Sequence, residues 1–426
     1  MKVKVVLHYL GLSVMVLAGL MLIPLAWGLC RHETGWSSFL ISSAITVSVG
    51  FLMWKLTPEG KGSLTRREGL TLVAGVWILA SAFGAIPYML AGTFQSYLDA
   101  YFEAMSGFTT TGATVLTSIE SQPQSILLWR NFTQWLGGMG IVTLFVALFP
   151  ILGIGAAHLF EAEMPGPQPE RLRAHVRDTA RALWGMYVAL SAMEIILLWL
   201  VGRLPVFDAL TITFGTMPTG GFLHKDISLA AYNNSLFVTS TVTFFMVMAG
   251  INFALYYYLL FRRQASRFFG NTEFLFYIAI FVGASLLITQ DLVTSGGLQV
   301  GEAFRYATFQ TASIQTTTGF TTANFDAWPS LSRGVLLILM IVGASAGSTG
   351  GALKVVRVLV LVKYAFRQLT LSFSPRAVIP LRLGGNVLPE GTVSKVVGTS
   401  ILYFAALVIG FLAMAAMGLD PITAFS

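Results

Sequence analysis

"FTTTGATV", Phe108–Val115, and "QTTTGFTT", Gln315–Thr322, share the tetrapeptide Thr-Thr-Thr-Gly about half the chain apart. Each copy lies between long apolar stretches, where threonine and glycine are poor helix formers. Reading backward from the two glycines, Phe102 falls on Phe309, Ala100 on Ala307, Ser106 on Ser313 and Glu103 on Gln310. A third copy lies between them. Phe207-Asp208-Ala209 precedes Thr219-Gly220-Gly221-Phe222, and Asp208 stands 13 residues before Gly221, as Asp99 stands 13 before Gly112. In this copy Gly220 replaces the last threonine.

What repeats is therefore a unit. It runs helix, short segment, Thr/Gly return, helix. The short segments Ala100–Gly107, Ala209–Met217 and Ala303–Gln315 are too short or too polar to span a membrane. They read as re-entrant half-helices, and irregular backbone at membrane depth is tolerated only inside protein or along a watery path. Glycine-rich breaks follow at Gly137-Gly138-Met139-Gly140, at Gly250 and at Gly343–Gly351. A fourth unit opens with Val396–Met417, and Leu419-Asp420-Pro421-Ile422-Thr423-Ala424 resembles the start of the second half-helix. Its filter glycine is expected beyond Ser426. The expected organisation is two N-terminal helices (1–66), pore repeats over 67–160, 161–270 and 271–385, and the start of a fourth over 386–426.

Composition agrees. Of 426 residues, 55% are hydrophobic and 11% charged, and mean hydropathy is +0.74. Soluble domains carry roughly a quarter charged residues, so the class is a polytopic, all-α membrane protein of helix–re-entrant loop–helix units around a central pore. The first apolar stretch, Tyr9–Trp27, reads as a retained helix and not as a signal peptide. The single cysteine, Cys30, excludes an internal disulfide.

Spans of ~20 apolar residues are expected near Leu7–Leu29, Phe39–Leu56, Leu70–Ala91, Leu127–Ile151, Leu183–Val201, Leu236–Leu260, Phe274–Ile288, Gly334–Tyr364 and Val396–Met417. The net charge of +7 forms no nucleic-acid stripe: 20 of the 26 basic residues recur on one side of these spans. That side reads as cytoplasmic. The opposite side holds Asp99, Glu103, Glu120, Asp208, Asp226, Asp291, Glu302, Asp326 and Asp420. An acidic outer face concentrates cations; ordinary solvated loop charge is the plainer reading of any one of them.

The repeated motif suits a dehydrated monovalent cation, which needs several oxygens at once, as rings of backbone carbonyls supply. Aiming successive carbonyls at one axis requires φ > 0 in places, which glycine permits. Threonine keeps its neighbours extended and adds a hydroxyl. Candidate filter residues are Thr110, Thr111, Gly112 and Ala113; Thr219, Gly220 and Gly221; and Thr317, Thr318, Gly319 and Phe320. The half-helix directs its partly negative C-terminus inward. Asp99 and Asp208 are expected to cap the half-helices, with direct ion binding as the alternative. Glu103, opposite Gln310 in the repeat, is expected in a neutral hydrogen-bonding role behind the filter. Glu194, inside a span, reads as a proton or ion site, a buried hydrogen bond or a lipid-interface residue.

These units, the two extra N-terminal helices, and the segments "TTTGATV", "MPTGGF" and "TTTGFTTANF" resemble the TrkH-type potassium-translocating subunits of the Trk/Ktr/HKT superfamily, over essentially the whole chain. The resemblance implies a K+ filter with one glycine per repeat, at Gly112, Gly221 and Gly319. Relatives that pass Na+ often carry serine at the first of these positions; this chain has Gly112. It also implies a homodimer in a bacterial inner membrane, K+ as the transported ion, and a separate cytoplasmic TrkA-like ring that binds nucleotides and docks on the basic inner face.

"VGASAGSTGGALKVVR", Val342–Arg357, interrupts the second helix of the third unit. Each glycine there costs ~1 kcal/mol against alanine in a helix, so the helix is expected to break in mid-membrane. The candidate gate loop is Gly343, Ala344, Ser345, Ala346, Gly347, Ser348, Thr349, Gly350 and Gly351. It reads as a flexible constriction, and the resemblance implies an intramembrane gating loop here; a packing seam of small residues is the alternative. Lys354 and Arg357 anchor the loop, contact a partner, or mark the inner face. A phosphate loop is excluded, because Lys354 does not directly follow the glycines. The expected function is channel-like K+ uptake, with an ion-coupled symporter as the alternative. No HExxH, paired catalytic carboxylates or nucleophile motif suggests an enzyme.

Overall fold

The computed structural model describes residues 3–33, 35–57, 65–138, 140, 176–260, 263–384, 386–420 and 423–424. Among the expected features, the end of the span Leu127–Ile151, Lys2, Lys61, Arg171, Arg173, Arg262 and the Pro421-Ile422 pair lie outside these residues. Six described helices are long and apolar enough to cross a membrane, and seven if one interrupted pair counts as a span. A two-residue antiparallel hairpin, Arg382 opposite Val387 and Leu383 opposite Asn386, is a small addition to the all-helical fold.

The chain divides into two units, taken in turn. The first draws on Met1–Pro165, Glu170–Ala249 and Thr318–Thr322. Its N-terminal span is two helices, Val3–Leu20 and Leu22–Cys30, packed on Trp36–Leu56. The contact is backbone on backbone. A Cβ on Gly11 would lie 2.7 Å from the Gly50 carbonyl, and one on Gly50 would lie 2.8 Å from that of Gly11. Lipid supplies no hydrophobic drive between helices, so small residues that admit this approach set the pairing. His8 Nδ1 faces the carbonyls of Thr57 at 2.7 Å and Trp54 at 3.1 Å. Both partners are acceptors, so that nitrogen carries the proton. Next, Thr65 and Glu68 form a capping box that starts Arg66–Gly84.

Two half-helices, Tyr97–Phe108 and Val206–Thr216, belong to this unit. Between them runs Gln124–Gly138, whose N-terminus is closed from outside: Glu33 accepts the amides of Gln124 and Ser125, each at 3.0 Å. A carboxylate there satisfies orphan N–H groups and meets the positive end of the helix. Val176–Ile196 completes the long helices and runs into a π-helical turn, Leu197–Val201.

The second unit draws on Gly250–Thr317 and Ala323–Ser426. Thr272–Thr294 starts at Asn271, whose side chain accepts from Phe274 N. It packs on the third half-helix, Val300–Gln315. Asp291 Oδ2 receives both the amide and the hydroxyl of Ser332, at 2.9 and 2.6 Å, and so holds the start of Ser330–Ile341. The long helix Glu390–Ala416 exposes Leu402, Ile409 and Leu412, as hydrocarbon contact requires. The expected span Leu236–Leu260 is interrupted at Gly250-Ile251-Asn252, leaving helices Leu236–Ala249 and Phe253–Leu260.

Candidate ion filter and gate

Each half-helix begins three residues before the expected start, and each carries an acid on its third residue: Asp99, Asp208 and Glu302. The capping role expected of Asp99 and Asp208 is therefore corrected. Ser96 caps the first half-helix by accepting from Leu98 N, and Pro205 precedes the second without a side-chain cap. The acids sit inside the first turn, where they meet the positive helix end. Asp208 does more: Oδ2 accepts from Tyr232 Oη at 2.8 Å and Oδ1 lies 3.3 Å from His224 Nε2. His224 Nδ1 reaches Thr211 Oγ1 at 2.6 Å. This cluster ties the start of the half-helix to the chain leaving the second return.

Burial pushes the Asp208 carboxyl up, but the hydrogen bonds of His224 and Tyr232 and the nearby charges of His224 and Lys225 outweigh it and hold it below its ordinary value. Because the folded value lies below the unfolded one, its contribution to stability is complete above the ordinary carboxylate range and is lost as pH falls through the folded value. Asp208→Asn is expected to flatten that dependence. Thermal unfolding of both forms in detergent between about pH 6 and about pH 3 checks this.

The C-terminal ends of the half-helices share one backbone course. Thr110, Thr219 and Thr317 adopt left-handed φ values of 54°, 56° and 60°, and two residues on Gly112, Gly221 and Gly319 adopt 80°, 79° and 83°. The closing hydrogen bonds repeat as well. Thr110 N donates to Gly107 O at 3.0 Å and Thr111 N to Ser106 O at 2.9 Å. Thr219 N donates to Thr216 O at 2.9 Å and Gly220 N to Gly215 O at 3.0 Å. Thr317 N donates to Ile314 O at 3.0 Å. This is the left-handed helix cap, formed here on threonine. The expected positive φ at the glycines is present; the one at the threonines was not anticipated.

Space also demands glycine. A Cβ on Gly112 would lie 2.2 Å from the carbonyl oxygen of Gly220, and one on Gly221 would lie 2.0 Å from that of Thr318. The first return thus abuts the second, and the second abuts the third, oxygen against glycine.

Polar side chains brace the returns. Glu103, wholly buried, accepts from Thr114 Oγ1 at 2.8 Å, Val115 N at 3.1 Å and Arg130 Nε at 2.6 Å. It lies behind the first return as expected, but as a charged partner and not in a neutral role, because Arg130 is buried with it. Arg130 also donates to Leu223 O at 3.0 Å and stacks over Phe222 at 3.5 Å. Asn131 Nδ2 donates to the carbonyls of Thr211 and Phe222 at 2.8 and 3.1 Å. Gln134 donates to Gly220 O at 2.7 Å and accepts from Phe222 N at 2.9 Å. The third return is held by Asn233 Nδ2 on Thr322 O at 2.6 Å and by Ser228 Oγ, which accepts from Thr321 N at 3.2 Å. The reading of the sequence missed Arg130, Asn131 and Gln134. For Arg130 the signal was present: a cation inside an apolar span needs an acid, and Glu103 was at hand.

In the second unit, the expected break is present. Helix stops at Ile341 and resumes at Val355. Between them the loop is hydrogen-bonded at most turns. Ser345 N donates to Gly250 O at 3.0 Å, Phe253 N to Gly347 O at 3.0 Å, and Val355 N to Ala344 O at 3.1 Å. Glu273 Oε1 accepts from Ala346 N at 2.5 Å. Gly351 N donates to Thr317 Oγ1 at 2.7 Å, and a Cβ on Gly350 would lie 2.9 Å from Thr316 O. The loop therefore leans on the end of the third half-helix. Lys354, buried, donates to Gly350 O within the loop. Arg357 lies half-buried on the first turn of Val355–Phe373. Glu194 is wholly buried beside the Thr216 side chain, and among the described residues neither carboxyl oxygen makes a hydrogen bond of good geometry.

Spanning helices, half-helices that end in left-handed Thr/Gly returns, and a broken helix define a polytopic membrane protein of repeated pore-loop units. The chain belongs to the TrkH family of cation transport proteins, whose model matches residues 36–425. It is 34% identical over 433 residues to the "Trk system potassium uptake protein TrkH" of Escherichia coli K12, covering all of this chain and 88% of that protein. To TrkH of Halomonas elongata it is 33% identical over 428 residues, with the same coverage. The crystal structure of the potassium transporter TrkH from Vibrio parahaemolyticus superposes with a TM-score of 0.88 at 31% identity, covering all of this chain and 88% of that one.

Proposed function

We propose that this chain is a potassium uptake subunit of a Trk-type system in a bacterial inner membrane, and that K+ passes along a filter of backbone carbonyls from Thr110–Ala113, Thr219–Gly221 and Thr317–Phe320. The observation that carries this is the repeated pair of left-handed residues, threonine then glycine, in all three returns. One backbone course used three times presents the same carbonyls three times, as a ring around an ion needs. The names of the relatives supply K+ as cargo. Anomalous density for Rb+ or Tl+ between Thr111 and Ala113 tests the site; density elsewhere sinks it.

The repeats bounded at 67, 161, 271 and 386 are the pore units of this proposal, behind two N-terminal helices. The segment Gly343–Gly351 is its gate. The loop's bonds to Glu273, Gly250 and Thr317 support a discrete closed arrangement over a packing seam alone. Deleting Ala344–Thr349 is expected to raise K+ flux several-fold in reconstituted vesicles and to leave the K+/Na+ ratio unchanged. Unaltered flux removes the gate from the proposal. A homodimer and a nucleotide-binding cytoplasmic ring docked on the basic inner face complete it; the relatives are named as proteins of a Trk system.

A second reading, proton-coupled symport, draws on Glu194, an acid wholly buried beside Thr216 and without an ion-pair partner among the described residues. Flux that follows the K+ gradient alone, indifferent to a proton gradient and to Glu194→Gln, favours the channel-like reading.

A further inference from the structure

The second return differs from the others at one position. Thr111 in the first return and Thr318 in the third correspond to Gly220. Unlike Gly112 and Gly221, Gly220 has no left-handed φ, so its backbone would accept a threonine. Space refuses one. A Cβ on Gly220 would lie 2.5 Å from Gln134 Cδ, 2.7 Å from its Nε2 and 2.7 Å from its Oε1. The carboxamide of Gln134 occupies the volume that a side chain at 220 would need.

That carboxamide is fully engaged with the return. Nε2 donates to Gly220 O at 2.7 Å, and Oε1 accepts from Phe222 N at 2.9 Å. The two bonds straddle Gly221 and fix the peptide on either side of it. Gln134 is wholly buried, and its Nε2 lies 3.9 Å from the Cβ position of Gly112. It therefore stands at the seam of the first and second returns, behind the Gly220 oxygen that faces Gly112. In the first return the corresponding bracing is different: Thr111 Oγ1 bonds Thr109 Oγ1 at 2.8 Å, and Glu103 holds the chain beyond it.

We infer that Gln134 is a specificity-determining positioning residue, a side chain lent by the neighbouring helix in place of the missing threonine, which holds the Gly220 carbonyl at the spacing that favours K+ over Na+. The inference rests on the filter reading above and assigns to one wall the group that sets its oxygen. A carbonyl oxygen that accepts a side-chain hydrogen bond on one lone pair cannot shift onto a smaller ion without breaking that buried bond, and its loss leaves an unsatisfied group in a dry site. The pairing of Gly220 with Gln134 also explains why the second copy of the motif departs from Thr-Thr-Thr-Gly.

The test is a double-mutant cycle on the full chain in vesicles, read as the K+/Na+ permeability ratio beside total K+ flux. Gln134→Ala is expected to lower the ratio about tenfold, the worth of one or two buried hydrogen bonds. Gln134→Met keeps nearly the volume and removes the donor facing Gly220 O without adding a charge; it is expected to lower the ratio while the protein, followed by size exclusion and thermal unfolding, still folds. Gly220→Thr alone is expected to abolish selective uptake. Gln134→Ala with Gly220→Thr is expected to recover a ratio above either single variant, because the threonine then has the room it has in the other returns. A double variant no better than the worse single, or a folded Gln134→Met protein with an unchanged ratio, overturns the inference. Gly112→Ser serves as the control on the filter itself. If it lowers the ratio and the Gln134 variants do not, only the role of Gln134 fails; if none of them moves the ratio, the filter reading fails.

Discussion

Gly221→Ala is expected to abolish K+ uptake. The added methyl carbon would lie 2.0 Å from the Thr318 carbonyl oxygen, a separation real Cβ atoms essentially never show. Neither partner has an easy retreat. Thr318 is buried, and the chain ahead of Gly221 is pinned by Gln134, Asn131 and Arg130. The residue would also carry a φ of 79°, which costs an L-residue about 1–2 kcal/mol before any clash. Relief must come by moving the Thr318 oxygen, which is itself a proposed ion ligand. Gly319→Ala separates the two effects: it carries the same backbone cost at φ 83°, but no described atom lies within 4 Å of its Cβ position. Rb+ uptake should therefore vanish in Gly221→Ala and persist at a reduced level in Gly319→Ala. Equal activity in both would mean that the close approach of adjacent returns does not matter for conduction. Gly112→Ser falls between them: its Cβ would lie 2.2 Å from the Gly220 oxygen, and weaker discrimination against Na+ is the expected outcome.

Arg130→Met is expected to be the most destabilising single change in the first unit. It leaves the Glu103 carboxylate at zero exposure without its cation. Removing one partner of a buried ion pair costs about 3–5 kcal/mol, because the other charge stays uncompensated. Here the guanidinium also fills the space beneath Phe222 and holds Leu223 O, so packing and a return are lost with it. Glu103→Gln should cost less, since the amide can still accept from Thr114 and from Val115 N. The double change Glu103→Gln with Arg130→Met should recover part of the loss, as expected when both charges are taken away. Thermal unfolding midpoints of the four proteins in detergent give the coupling. Strict additivity would show that the pair is not the source of the effect.

The repeat was legible because its conformational demands are severe. Left-handed glycines cannot be replaced cheaply, so Gly112, Gly221 and Gly319 stand out even where the neighbouring residue has changed. The break at Gly343–Gly351 was legible for a similar reason, since no helix-forming run could accommodate it. The bracing residues were less visible. Arg130, Asn131 and Gln134 each sit in an apolar run on Gln124–Gly138, and their importance lies in contacts with positions 27 to 93 residues away. The roles of Asp99 and Asp208 were misread because the half-helices begin three residues before the alanines that first look helical, which moves the acids from the cap into the first turn. Glu273 stands in the first turn of Thr272–Thr294, and only the fold brings the Ala346 amide, 73 residues on, to it.

The hydrogen bond from Gly351 N to Thr317 Oγ1 joins the loop to a residue of the third return. Where the third return holds an ion as proposed above, loop position and ion occupancy are linked variables. An effector that releases the loop must alter the affinity of the third return for its ion, and ion binding must alter the affinity for the effector by the same factor. Titrating the effector at two K+ concentrations measures that coupling, and repeating it with Thr317→Val gives the share this contact carries.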